Sequence, residues 1–177
     1  MATLRAGPPD ELALADAPGG GLRRLTSHDW PLEQALSRVA DVPRWTYYPP
    51  DLSDDDARER VRVAVERDRA GITARYVVLL DGKPVGTAGV AARTPLAAEV
   101  FYALLPVGRG HGLATCAVVE LATWGFGAGY HEVRLATVVG NEASEAVAAR
   151  AGFRAVGTQV QDDRTTTLWV RSRDGSP

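Results

Sequence analysis

The chain has a single cysteine, Cys116. An internal disulfide framework and a cysteine-rich zinc site are therefore excluded. No run of eighteen apolar residues occurs, so no membrane-spanning helix is expected. The opening Met-Ala-Thr-Leu-Arg-Ala-Gly-Pro-Pro-Asp has no apolar stretch long enough for a secretory signal. Excess positive charge is also missing: the formal net charge is −2, which leaves no basic footprint for nucleic acid. There is no internal repeat, no low-complexity tract and no linker that would split the chain. At 177 residues it can bury a core of its own. The expectation is one domain over residues 1–177, with an ordered part of about 11–171, in a reducing cytoplasm. Cys116 falls inside a helical pattern and reads as a small apolar packing residue rather than a nucleophile.

What the chain does have is a glycine-rich loop, Pro106-Val-Gly-Arg-Gly-His-Gly-Leu-Ala-Thr115. A strand-like run, Glu99-Val-Phe-Tyr-Ala-Leu-Leu105, leads into it. A helical pattern leaves it, with Leu113, Ala117, Leu121 and Trp124 at helical spacing. Strand, glycine turn and helix together bind phosphate. Glycines let backbone N–H groups turn toward an anion, and the helix start adds unpaired donors and roughly half a unit of positive charge. A dinucleotide fingerprint does not fit, because its third glycine would fall on Leu113 or on Thr115. A Walker loop does not fit either, because no lysine follows the glycines.

Around this loop the elements can be placed in order. Residues 1–10 read as loose. Leu12-Ala-Leu14 and Leu22-Arg-Arg-Leu25 read as a strand pair, and Asp29 with Pro31 marks a helix running to Val39. Residues 42–50 hold prolines and three aromatics, Trp45, Tyr47 and Tyr48, and read as a stiff non-helical segment that packs on the core or lines a substrate site. Ser53 caps a helix to about Ala70, with Asp54, Asp55 and Asp56 in its first turn. Asp81-Gly82 turns a hairpin. After the loop helix come a strand at 132–139, a helix from Asn141 to Gly152, and a closing strand pair. The fold class expected is α+β: a mixed, mostly antiparallel central sheet with helices on both faces and one parallel strand pair flanking the loop helix.

Two motifs carry a resemblance. Arg109, Gly112 and Ala114 spell Arg-x-x-Gly-x-Ala. Further on, Asn141-Glu-Ala-Ser144 opens a helix that stops at Ala151-Gly152-Phe153. In this order, after the strand ending at Pro106, they resemble the acyl-CoA-binding segments of the GNAT family of N-acetyltransferases. The likeness runs from about Leu22 to Val170. It is nearest to the branch with ribosomal-protein N-terminal acetyltransferases and their small-molecule-modifying relatives, as the entry Leu22-Arg-Arg-Leu-Thr26 and the Tyr-Pro-Pro segment indicate.

The resemblance implies that the strands flanking the loop helix splay apart and hold the pantetheine arm of acetyl-CoA. That arm would pair with backbone at Leu104 and Leu105. The diphosphate would sit on the loop formed by Arg109, Gly110, His111, Gly112, Leu113, Ala114 and Thr115. Asn141 and Ser144 would reach the pantetheine or thioester end. It also implies attack of an amine on the thioester, with Glu99 as general base, Ser144 or Tyr102 as proton donor to the thiolate, and Trp45, Tyr47 and Tyr48 lining the acceptor site. Each residue has a plainer role. Glu99 could be a strand-end carboxylate paired with an arginine, Ser144 a helix cap and Tyr102 a core residue. The acceptor would be a small-molecule amine or a peptide N-terminus, with no metal, nucleic acid or membrane involved. A homodimer is common among relatives, by analogy only. A second reading is a non-catalytic acyl-CoA-binding or regulatory module on the same fold.

Overall fold

The structure, a computed structural model, describes residues 2–161 and 163–173. Among the described residues eight strands form one sheet: β1 (Glu11–Ala13), β2 (Gly20–Arg24), β3 (Thr73–Leu80), β4 (Lys83–Ala92), β5 (Ala97–Leu104), β6 (Glu132–Val138), β7 (Arg154–Gln161) and β8 (Arg164–Ser172). Their spatial order is β1-β2-β3-β4-β5-β6-β8-β7. Every neighbouring pair is antiparallel except β5–β6, as the sequence pattern implied.

Five α-helices among the described residues cover the two faces: α1 (Trp30–Ser37), α2 (Asp41–Trp45), α3 (Asp54–Arg69), α4 (Leu113–Gly127) and α5 (Glu142–Arg150). On one face α1, α2 and α3 bury Leu32, Leu36, Val42, Val61 and Ala64 against Val77 and Ala103. On the other, α4 buries Leu113, Ala117, Val118 and Leu121 against Val90, Val100 and Leu104, and α5 adds Val147 and Ala148. The cap of α3 forms as expected: the Ser53 hydroxyl accepts from the Asp56 N–H at 3.1 Å. The β3–β4 turn places Asp81 and Gly82 at φ of 49° and 74°. Two positive φ values make the tight turn that matches strand twist. Lys83, the chain's one lysine, follows that turn in an exposed position.

Two expectations are corrected. Residues 42–50 are not wholly non-helical, because Val42 through Trp45 complete α2. Residues 2–10 are not loose. Leu4 N–H donates to Gly71 O at 2.6 Å, the Arg5 guanidinium donates to Gly129 O at 3.0 Å, and the Tyr76 hydroxyl donates to Pro9 O at 2.6 Å. These bonds satisfy backbone groups that an isolated tail would leave to water.

The feature that positions the site is the β5–β6 junction. Pairing joins Ala97 to Glu132, Ala98 to Val133 and Glu99 to Arg134, and then stops. Beyond it β5 stays on β4 and β6 stays on β8, so the two strands diverge. Leu105 N–H donates to Val85 O at 2.9 Å. In an antiparallel ladder bonding alternates. The main-chain groups of Tyr102 and Leu104 therefore point away from β4, into the split.

Candidate active site

A cleft of about 600 Å³ opens along the split, within the range of roughly 300–1,000 Å³ usual for ligand sites. Tyr102, Ala103 and Leu104 of β5 form its floor, the glycine loop and the start of α4 one end, α5 one wall and α2 the other. Of the residues singled out in the sequence, Trp45, Tyr102, Leu104, Arg109, Gly110, Gly112, Leu113, Ala114, Thr115, Asn141 and Ser144 all line it.

At the loop end the geometry suits a diphosphate. Gly110 and Gly112 lie at φ of 81° and 74°, and a Cβ on either would meet no atom within 4 Å. The backbone thus forms an open concavity free of side chains. Gly112 is the N-cap of α4 and supplies no side-chain cap, which leaves the first-turn N–H groups without an intrahelical partner. Oriented donors at a helix start favour an anion. Gly108 serves packing instead: a Cβ there would lie 2.9 Å from Val85.

Arg109 does not extend into that concavity. Its guanidinium makes a two-point pair with Asp41 of α2, at 2.6 and 2.8 Å, and donates to Leu104 O at 3.0 Å. The Arg109 hydrogen bonds hold the Asp41 carboxyl below its ordinary range. A depressed carboxylate binds fewer protons in the folded state than in the unfolded one. Its contribution to stability is present above the unfolded pKa and lost as pH falls through the folded one. Thermal melts from pH 7 down to 3 should show Asp41→Asn less stable than the parent at neutral pH, with the difference shrinking as pH falls through the carboxylate range.

At the other end the Tyr102 hydroxyl is buried with no hydrogen-bond partner of good geometry. Burial pushes the phenol up, while the neighbouring Ser144 hydroxyl and Arg150 guanidinium act in the opposite direction. Asn141 caps α5, its side-chain oxygen accepting from Ser144 N–H at 3.2 Å.

The remaining expected residues lie elsewhere. Glu99 is on the last paired position before the split, ion-paired with Arg93 and outside the cleft lining. Leu105 and His111 are not in the lining, and His111 is exposed. Tyr47 is exposed, with Arg164 5.7 Å from its ring centre. Tyr48 is buried behind β4, its hydroxyl 2.9 Å from that of Thr87. Cys116 is half-buried, and burial together with Asp16 and Glu120 pushes its thiol up, as suits a packing residue. Sequence reasoning missed Asp41, Thr46 and Arg150. Arg150 had a signal: Ala143, Ala146, Val147 and Arg150 fall at i, i+3, i+4 and i+7, one face of α5.

The family model of the acetyltransferase (GNAT) domain matches residues 21–154. None of the curated proteins compared with the chain matches it. Among solved structures it is similar to RimL, described as a ribosomal L7/L12 alpha-N-protein acetyltransferase. The TM-score is 0.79 at 21% identity, covering 92% of this chain and 94% of that one. It is also similar to aminoglycoside acetyltransferase AAC(6')-Ib in complex with coenzyme A, at a TM-score of 0.74 and 21% identity, over 87% of this chain and 95% of that one. A third is Mycobacterium smegmatis RimJ in complex with CoA-disulfide, at a TM-score of 0.74 and 22% identity, over 89% and 84%. The sheet split beside a glycine cradle and the domain match over most of the chain lead to one conclusion: the chain belongs to the GNAT family of acetyltransferases and uses acetyl-CoA as its acyl donor.

Proposed function

We propose that the chain transfers the acetyl group of acetyl-CoA to a primary amine, of a small molecule or a peptide N-terminus, by direct attack while both substrates are bound. The observation that supports this most is the continuous cleft. It runs from a side-chain-free cradle at Gly110 and Gly112 to an unsatisfied hydroxyl at Tyr102. A donor with a phosphate at one end and a thioester at the other suits such a site.

The loop amides and the start of α4 bind the diphosphate. Main-chain groups of Tyr102 and the N–H of Leu104 face the split and pair with the amides of the donor's arm, the Leu104 carbonyl being held by Arg109. One of their N–H groups stabilises the charge that develops on the carbonyl oxygen during attack. Acetyl-CoA supplies the activated acyl group. Tyr102, kept protonated by burial, hands its proton to the departing thiolate, with the Ser144 hydroxyl beside it. The proton lost by the attacking amine leaves to solvent. The acceptor lies against Trp45 and Thr46. The cleft's compartment is the reducing cytoplasm, consistent with a single cysteine and with no helix, among the described residues, long and apolar enough to cross a membrane.

Thiol release from acetyl-CoA tests this with a panel of a short free-amino peptide, an aminoglycoside, a polyamine and an amino acid. Turnover with at least one amine is expected. Saturable binding without turnover across a broad panel would indicate a non-catalytic acyl-CoA-binding module instead. Tyr102→Phe should lower kcat by about a hundredfold or more, the scale of a lost general acid. Glu99→Gln should leave kcat/KM within about fivefold, because Arg93 already occupies that carboxylate and an exposed pair is worth about 1 kcal/mol at most. A fall of a hundredfold in Glu99→Gln would restore Glu99 as the base.

A further inference from the structure

The two banks of the split are held by different parts of the chain. β8 stands with β6 on one bank, whereas α2 packs through Val42 beside Ala103 on the β5 bank. The Arg164 side chain reaches from the first to the second. Arg164, at the start of β8, donates to the carbonyl oxygens of Pro43 at 3.0 Å, Arg44 at 3.1 Å and Thr46 at 2.6 Å. It also lies over the ring of Tyr47.

These carbonyls sit at the carboxyl end of α2, where a helix leaves its acceptors without intrahelical partners. A planar guanidinium can serve several at once. The amino end of α2 is held by the Asp41–Arg109 pair. A helix of five residues has no stability of its own. Its place beside the cleft, and with it the wall made by Trp45 and Thr46, depends on two arginines from distant parts of the chain. Arg109 belongs to the donor loop. Arg164 belongs to neither the cradle nor the reacting end, and it does not line the cleft.

We propose that Arg164 is a positioning residue for the acceptor: it clasps α2 across the mouth of the split and so fixes the wall against which the amine is seated. The proposal rests on the acetyl-transfer reading above. It separates the two substrates, because the clasp supports the acceptor wall and leaves the phosphate cradle alone.

The test is Arg164→Ala and Arg164→Lys in the full chain, assayed with the best amine of the panel, together with calorimetric titration of CoA. For Arg164→Ala the acceptor KM should rise about tenfold or more, the scale of a lost set of charge-assisted hydrogen bonds. Both kcat and the CoA dissociation constant should stay within about threefold. Arg164→Lys should recover part of the KM, since an ammonium can still serve one of the carbonyls. Hydrogen exchange of the amides at 43–48 should quicken in Arg164→Ala and not in the glycine loop. An unchanged acceptor KM, or a KM that changes only in step with CoA affinity, overturns the proposal while leaving the acetyl-transfer reading in place. A parent enzyme that acetylates no amine at all removes both.

Discussion

Replacing Gly112 by Leu should weaken CoA binding by a hundredfold or more and leave the fold intact. Gly112 opens α4 and faces the cleft. A side chain there would project into the concavity that the loop amides surround. Hydrogen bonds from backbone donors to a charged group are worth roughly 1.5–3 kcal/mol each, so losing two costs about 3 kcal/mol or more, at least about a hundredfold in affinity. A second cost needs separating from this one. Gly112 is at φ 74°, and a leucine forced there is strained by roughly 1–2 kcal/mol. Gly82 gives a matched control. It has the same φ of 74° and, like Gly112, no atom within 4 Å of a built Cβ, but it lies in the β3–β4 turn outside the cleft. Thermal melting should show comparable losses for Gly82→Leu and Gly112→Leu. Calorimetry with CoA should show a loss only for Gly112→Leu. Equal CoA affinity in the two variants would remove the loop as the phosphate cradle.

Glu33→Ala should be the most damaging single change to stability. Glu33 lies on α1 with its side chain 0% exposed. Arg60 of α3 donates to it at 2.7 Å and Arg75 of β3 at 3.2 Å. Removing the carboxylate leaves two guanidinium groups facing one another in a poorly hydrated place. Breaking one partner of a buried pair costs roughly 3–5 kcal/mol, a large share of the roughly 5–15 kcal/mol that holds a domain folded. A fall in melting temperature of roughly 6–20 °C follows for a chain of this size. Glu33→Gln keeps the volume and isolates the charge; it should be nearly as harmful. Urea midpoints check both, and a loss below about 1 kcal/mol in either would refute the assignment. The network reaches the site. Arg60 lies 4.1 Å over the ring of Tyr48, and the Tyr48 phenol, pushed up to about 12 by burial and by Glu33, bonds Thr87 of β4. Thr87 stands opposite Ala103, which lines the cleft. The loop that follows α2 is thus anchored on a buried charge cluster.

Much of this is readable before any coordinates, because it rests on local rules. The Asp81-Gly82 turn, the Ser53 cap, the Asn141 cap and the glycine loop are each fixed by a few adjacent residues, and each forms as the residues indicate. The parallel β5–β6 pair is also readable, since a helix must intervene between parallel neighbours. What sequence cannot supply is the outcome of long-range bonds. α2 contains a proline, and a segment with further prolines and two more aromatic residues follows it, a composition that argues against a helix. It forms because Arg109 and Arg164 reach it from 68 and about 120 positions away. The Arg93 side chain takes the Glu99 carboxylate, which a motif match alone marks as a free base. The aromatics of 45–48 divide three ways for the same reason. Trp45 meets the cleft, Tyr47 stays exposed and Tyr48 turns inward to Thr87.

The solitary lysine after the β3–β4 turn has a chemical corollary. Nineteen of the twenty basic residues are arginines. Their guanidinium groups stay protonated in proteins and are poor nucleophiles toward an acyl donor. A catalyst that stores a reactive acyl group beside its own surface thus exposes a single side-chain amine to self-modification. Prolonged incubation with donor alone should leave every lysine-type acetyl mark on the peptide that contains Lys83.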